Sequence, residues 1–161
     1  MSTSSRHSLI QTAIADRIKA QDEIDNPTNA EQDHFVARLK VPVHEDASGN
    51  WLEETARKIK TIGLAIVVRK GLYTIKGVFE TFPFLVEIVE VPLINRGTMG
   101  TGLTAERAME IVTECLRHWG PLEWTGEVEN LVVNGKEGQK QLTYAIRFDV
   151  RSFVKETARA L

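Results

Sequence analysis

Two stretches of the chain repeat hydrophobic residues at the spacing of an α-helix. Near the N-terminus, apolar positions begin just after Ser8, a residue suited to an N-cap, and predict an amphipathic helix over residues 8 to about 22. The second stretch predicts a helix over residues 104–119, which Gly120 and Pro121 bring to an end. Its apolar stripe consists of Ala108, Ile111, Val112, Cys115, Leu116 and Trp119.

Other apolar runs predict strands. Residues 62–69 predict a buried strand, and residues 84–94 are apolar on both faces for much of their length, which is also typical of buried strands. The run over 84–94 is the stronger of the two and is expected in the middle of a sheet. Residues 141–150 alternate strictly between apolar and polar positions, and together with residues 128–133 they predict a hairpin.

The remaining signals are weaker. A looser alternation over residues 35–43 predicts an exposed strand, and Pro42 assigns its end to a sheet edge because proline cannot donate to the ladder. We also expect a short helix over residues 51–60 and a short strand over 72–76. These elements fit between the stronger ones without a long linker.

The order of the elements predicts one α+β domain, with a mostly antiparallel sheet and helices packed on one face. The domain is expected to span residues 1–161, with residues 1–7 and 153–161 as flexible or helical tails. Three polar segments are expected to form exposed loops, over residues 44–50, 95–103 and 134–140.

Composition narrows the classes of function. A hydrophobic content of 42% and a charged content of 26% are typical of a globular protein with a real core. The net charge of −2 lacks the basic excess of nucleic-acid-binding domains, so specific nucleic-acid binding is not expected. No apolar run approaches the ~20 residues that a membrane helix needs, and we expect no membrane partner. The single cysteine, Cys115, cannot form an intramolecular disulfide.

A glycine-rich segment stands where a phosphate-binding loop would, between a buried strand and a helix. Residues 97–104 (GTMGTGLT) carry the outer glycines of the GxxxxGK[ST] motif, but Leu103 replaces its lysine. Because leucine supplies no charge for the outer phosphates, we expect that ATP and GTP do not bind. The favoured interpretation is a flexible, solvent-exposed loop that ends in a helix N-cap at Thr101 or Thr104.

No catalytic, cofactor-binding or metal-binding residues are predicted, and we do not expect an enzyme. The sequence contains no nucleophile elbow and no Cys/His signature, and its four histidines lack the spacing found in zinc hydrolases. Two alternatives stay open. One is a small-ligand or nucleotide-binding enzyme that uses the 97–104 loop, and the other is a partner-binding regulatory module.

Residues 84–119 resemble a pattern in small phage virion proteins. They combine a buried strand ending in VEVPLINR, a glycine-rich turn with GTG, and the helix TAERAMEIVTECLRHW. With the N-terminal helix SLIQTAIADRIKA and the closing hairpin, the element order over residues 8–150 is similar to the tail-terminator family. It is also similar to neck, or head–tail joining, proteins of like size.

This resemblance implies a structural virion protein without catalytic residues. Such a subunit forms a ring, often of six copies, that caps the tail tube and docks to the head connector. The implied partners are further copies of the chain, a tail tube protein, and a neck or connector protein. The implied location is the virion, with assembly in the host cytoplasm.

Charged and loop residues are the candidates for contacts within such a ring. A ring needs two different patches that meet on neighbouring subunits, and opposite charges on the two patches favour assembly. An acidic residue in an otherwise apolar strand usually faces water or a partner charge. The predicted interface residues are Glu87, Glu90, Arg96, Met99, Thr101, Lys136, Glu137 and Lys140.

Overall fold

The computed structural model describes residues 5–22, 34–46, 51–72, 74–76, 79–98 and 100–153. Within these residues the chain forms five helices and six strands. In chain order they are α1 (Arg6–Lys19), α2 (Phe35–Leu39), β1 (Val43–Glu45), α3 (Trp51–Ile62), β2 (Leu64–Lys70), β3 (Thr74–Lys76), β4 (Phe79–Glu90), α4 (Pro92–Asn95), α5 (Ala105–Leu116), β5 (Glu129–Glu137) and β6 (Leu142–Ser152).

The strands form one six-stranded sheet, in which five follow the order β1-β2-β4-β6-β5. Strand β3 pairs with the first residues of β4, on the side that β2 occupies further along. All pairings are antiparallel except that of β1 with β2. The predicted α+β class, the mostly antiparallel sheet and the central position of the strongest strand are confirmed.

The main core lies between this sheet and helices α1 and α5, which pack against β1, β2, β4 and β6. Alternate residues of β4 point into it, because successive side chains of a strand face opposite sides. The predicted stripe of α5 is buried there from Ala108 to Leu116, whereas Trp119 lies beyond the end of the helix and is partly buried. Helix α1 contributes Ile10, Ile14 and Ile18 to the same core, while its Leu9 is exposed. The largest fully buried side chains of this core include Phe35, Phe82, Ile10, Ile14, Ile18, Leu64, Ile66, Ile88, Leu116 and Ile146.

Helix α3 covers one edge of the opposite sheet face. Ala65 and Val67 point away from the main core, yet both are buried. The helix that contacts β2 and β1 there is α3, which connects these two parallel strands. The opposite face of β4, β6 and β5 carries exposed side chains instead, among them Val132 and Arg147.

The predicted strand over residues 35–43 is wrong, because residues 35–39 form helix α2. Phe35 is fully buried and Leu39 packs against the core, so one helical turn places both apolar side chains on the same side. Lys40 ends the helix in the left-handed conformation, with φ of 56°. After α2, the chain forms the short strand β1 over Val43–Glu45.

Several boundaries also differ from the prediction. Helix α1 begins earlier, because Ser5 rather than Ser8 is its N-cap. Strand β4 begins at Phe79 and ends at Glu90, since Pro92 starts the helical turn α4. Strand β5 continues to Glu137, so the hairpin turn lies over residues 138–141. Residues 47–50 of one predicted loop and the terminal tails at 1–4 and 154–161 lie outside the described residues.

Candidate functional site

The end of the sheet at which β4 finishes gathers most of the predicted interface residues. Glu90, the last residue of β4, pairs with Leu142 at the start of β6. Glu137, the last residue of β5, pairs with the same leucine. Helix α4, the described residues of the glycine-rich loop over 96–104 and the hairpin turn over 138–141 therefore lie at the same end of the sheet. We call this region the loop end of the sheet.

Asn95 fixes the position of the glycine-rich loop through hydrogen bonds. Its side chain is fully buried, and its Nδ2 donates to Glu90 Oε2 at 2.5 Å and to the Leu103 carbonyl oxygen at 2.7 Å. Its Oδ1 accepts from the backbone N–H of Thr101 at 3.2 Å and from the Thr101 hydroxyl. The Asn95 carbonyl accepts from the N–H of Gly102 at 3.0 Å. One asparagine thus joins the end of β4 to both halves of the loop.

The carboxylate of Glu90 is a second anchor, and it is also fully buried. Its Oε1 accepts from the N–H of Ala105 at 3.3 Å and from Arg96 Nη2 at 3.1 Å, and its Oε2 accepts from Arg96 Nε at 3.3 Å. Ala105 is the first residue of α5, where unpaired N–H groups favour a negative charge. The hydrogen bonds and the charge of Glu90 raise the pKa of Arg96 above its usual value.

Two glycines let the backbone close around Asn95. Gly63, just before β2, has a φ of 83°, and a Cβ there would overlap the backbone nitrogen of Asn95. A Cβ on Gly100 would overlap the Asn95 carbonyl group. Glycine is therefore required at both positions by close packing, and at Gly63 also by the left-handed conformation.

The glycine-rich loop differs from the expected unrestrained segment, because its described residues form hydrogen bonds within the chain. Leu103 is only 4% exposed and belongs to the main core, rather than lying in solvent. The N-cap of α5 is Thr104, whose Oγ1 accepts from the N–H of Arg107 at 3.1 Å. The loop is ordered by side chains of its own chain.

The same contacts occupy several of the N–H groups that a phosphate would use. The N–H of Ala105 donates to Glu90, that of Arg107 to Thr104, and that of Leu103 to Thr101 Oγ1. An anion at this helix N-terminus would also face the Glu90 carboxylate, and two like charges repel in a buried site. The geometry therefore disfavours the nucleotide-binding alternative.

The structure places three of the predicted interface residues within this network. Arg96 is about half exposed, at 51% of its side chain, and Thr101 is partly buried. Glu90 lies inside the subunit, with its charge already matched by Arg96. Its carboxylate stabilises the loop of its own chain and is not presented to a neighbour.

The remaining candidates lie on the surface. Lys136, Glu137 and Lys140 are exposed at the hairpin end of β5. Glu87 points to the sheet face opposite the main core and forms an ion pair with Arg69 at 2.5 Å. Met99 lies outside the described residues. The fold thus brings Arg96, Thr101 and the hairpin residues to the loop end, while Glu87 sits further along β4.

Residues with catalytic potential are poorly placed for chemistry. Burial raises the pKa of Cys115 to about 12, so its thiol stays protonated and is a weak nucleophile. The His118 side chain is 91% exposed, and its Nδ1 lies 3.7 Å from Glu127 Oε2. Among the described residues, no group of three or more His, Cys, Asp or Glu side chains is arranged to hold a metal ion. No described helix has the length and apolar character to cross a membrane.

The sequence pattern gives no signal for the roles of Asn95 and Gly63, the residues that organise the loop end. Both are separated in sequence from the groups they contact, and a single asparagine after an apolar run carries no distinctive pattern. Pro92, which favours the first turn of a helix, is the one local signal for the break between β4 and α4.

Comparisons with known proteins give a fold relationship. No family model matches the chain, and no curated protein matches it. Among solved structures, a chain in the virion of a native gene transfer agent particle has a similar fold, with a TM-score of 0.50 and 13% sequence identity. The alignment covers 93% of this chain and 98% of that one, so the two share their architecture over nearly their whole length.

Proposed function

We propose that this chain is a structural virion protein and not an enzyme. The observation that carries the proposal is the shared fold with a chain of a gene transfer agent virion, across 93% of this chain. A match of that extent aligns the whole domain rather than one common supersecondary unit. The location that follows is the virion, with assembly in the host cytoplasm.

Within the virion, we propose the role of a ring-forming tail terminator or neck component. The ring is hexameric, caps the tail tube and docks to the head connector. The support is the element order, which is similar to the tail-terminator family. Its partners are other copies of the chain, the tail tube protein, and the neck or connector protein.

The loop end of the sheet suits a docking surface of this kind. Buried hydrogen bonds from Asn95 and Glu90 fix the shape of the loop before any partner arrives. Binding then costs less conformational entropy than it would for a mobile loop. Lys136 and Lys140 stand exposed beside it and are free to meet acidic groups of a neighbouring subunit or of the tube.

The decisive experiment is cryo-electron microscopy of particles purified from cells that express the chain. We expect a closed ring of six copies at the end of the tail tube. A single copy or a simple dimer in the particle would contradict the ring, and absence of the chain from purified particles would contradict the virion assignment.

A charge reversal tests the contribution of the loop end. Lys136→Glu combined with Lys140→Glu should lower incorporation into particles while leaving the subunit folded, because both side chains are exposed. Lys60→Glu, at an exposed position on α3, is the matched control and should incorporate normally. Arg96→Glu is unsuitable, because it would place a second carboxylate beside buried Glu90.

A further inference from the structure

The face of the sheet that points away from α1 and α5 carries a row of side chains at one level of four strands. Leu85 of β4 pairs with Arg69 of β2 on one side and with Arg147 of β6 on the other. Arg147 pairs in turn with Val132 of β5. Paired residues project from the same face, so these four side chains form a continuous line across the sheet. We call it the arginine row.

Arg147 is the exposed centre of this row. It lies between Leu85, which is partly buried, and Val132, which is 52% exposed. Within the part of the chain that the structure describes, Arg147 forms no ion pair and no side-chain hydrogen bond. Arginine flanked by apolar side chains is typical of the residues that contribute most to protein–protein binding.

A line of acidic side chains lies on the other side of the subunit. Glu106, Glu110 and Glu114 recur every four residues along α5, and all three are exposed. Glu110 pairs with Arg107 at 3.1 Å, whereas Glu106 and Glu114 have no ion-pair partner among the described residues. We call these three residues the acidic stripe. It faces outward from the helix layer, and the arginine row faces outward from the sheet layer.

The spacing of the two surfaces matches. Arg69 and Arg147 are two strands apart, or roughly 10 Å at about 4.8 Å between strands. Glu106 and Glu114 are eight residues apart on one helix, or roughly 12 Å at 1.5 Å per residue. A helix that lies across the strands would therefore bring one carboxylate near Arg147 and the other near Arg69. The second contributes less, because Arg69 already pairs with Glu87 at 2.5 Å.

We infer that the arginine row of one subunit binds the acidic stripe on α5 of a second copy of this chain. The contact is heterologous, because two different patches on opposite sides of the subunit meet, and such contacts can close into a ring. The inference rests on the proposed function for its ring, and it adds a second contact surface to the loop end. The arginines near apolar side chains are partly desolvated in the contact, which strengthens their attraction to carboxylates.

Charge reversal with rescue tests the contact. Sedimentation of the full chain is measured over a concentration series at low salt, for the wild type and for Arg147→Glu. We expect the wild type to self-associate and Arg147→Glu to raise the dissociation constant by about 10- to 100-fold. The double reversal Glu106→Arg with Glu114→Arg should have an effect of similar size. Arg147→Glu combined with Glu106→Arg, and Arg147→Glu combined with Glu114→Arg, each exchange one pair of charges. The combination whose glutamate faces Arg147 should recover association to within a few-fold of the wild type.

Controls separate this contact from general charge effects. Circular dichroism verifies that each variant is folded, which we expect since all reversed positions are exposed. Lys60→Glu, which changes the net charge as Arg147→Glu does, should leave the dissociation constant unchanged. A wild type that stays monomeric throughout, reversals without effect, or two combined variants that are both no better than Arg147→Glu alone would each overturn the inference.

The result is distinguishable from a failure of the proposed function. Rings seen in particles together with charge reversals that have no effect would refute the arginine row alone. Rescued association in solution, with no ring in any particle, would leave the contact standing and refute the ring-forming role.

Discussion

Replacing Asn95 by alanine tests whether the loop end depends on a single buried side chain. The substitution removes the amide that donates to Glu90 and to the Leu103 carbonyl oxygen, and that accepts from Thr101. Thr101 is only partly buried, so its N–H and hydroxyl groups can form hydrogen bonds with water instead. The Leu103 carbonyl oxygen is enclosed and loses its short donor, at roughly 1–3 kcal/mol. Glu90 keeps its hydrogen bonds from Arg96 and Ala105 and loses only the one from Asn95, at roughly 1 kcal/mol. We therefore expect a loss of about 3 kcal/mol in the free energy of unfolding.

Such a loss is large for one residue. Total stabilities of domains lie at about 5–15 kcal/mol, and each kcal/mol shifts Tm by about 2–4 °C at this chain length. Urea unfolding followed by circular dichroism would give the free energy, and thermal unfolding should show Tm lower by about 6–12 °C. The control is Asn134→Ala, which removes the same amide from an exposed position on β5 and should cost under about 0.5 kcal/mol.

The isosteric change Asn95→Asp sharpens the test. It places a carboxylate within hydrogen-bonding distance of the Glu90 carboxylate, and two such groups do not both stay ionised in a buried site. The variant should be less stable at pH 7 than at pH 5, because protonation of one carboxyl restores a donor between them. If Asn95→Ala costs no more than Asn134→Ala, or if Asn95→Asp shows no such pH dependence, the loop does not depend on this network.

Two further predictions concern buried titratable groups. Because burial raises the pKa of Cys115 to about 12, a thiol reagent at pH 8 should label it only as fast as the chain unfolds, and labelling of the native chain at the rate of a free thiol would contradict this placement. Burial also lowers the pKa of His7 from its ordinary value of 6.5, so the unfolded chain binds a proton in a range where the folded chain does not. Stability should fall as the pH drops below 6.5 towards that lowered pKa. His7→Phe should flatten this part of the urea-unfolding profile, and an unchanged slope would refute the assignment.

The strongest periodicities determined much of this fold by themselves. The helix α5 and the closing hairpin follow from side-chain spacing, because a stripe or an alternation that faces one core leaves a direct record in the sequence. The α+β class followed from the order of the elements. The sequence predicts short elements less reliably. For example, the pattern from Phe35 to Leu39 fits one helical turn as well as a strand.

The tertiary structure alone decided what the charged and loop residues do. Glu90 and Glu87 both interrupt the same apolar strand, but one is buried under the loop and the other faces the open side of the sheet with Arg69. The two residues point to opposite faces of β4, and the side chains that surround each one come from distant parts of the sequence. The local sequence pattern does not specify either of these facts. The conformation of the glycine-rich loop has the same cause. Its glycines permit many backbone conformations, and the hydrogen bonds of Asn95 and Glu90 select one of them. Asn95 belongs to the helical turn α4, which precedes the loop. Arg147 likewise differs from other surface arginines only through its neighbours across the sheet.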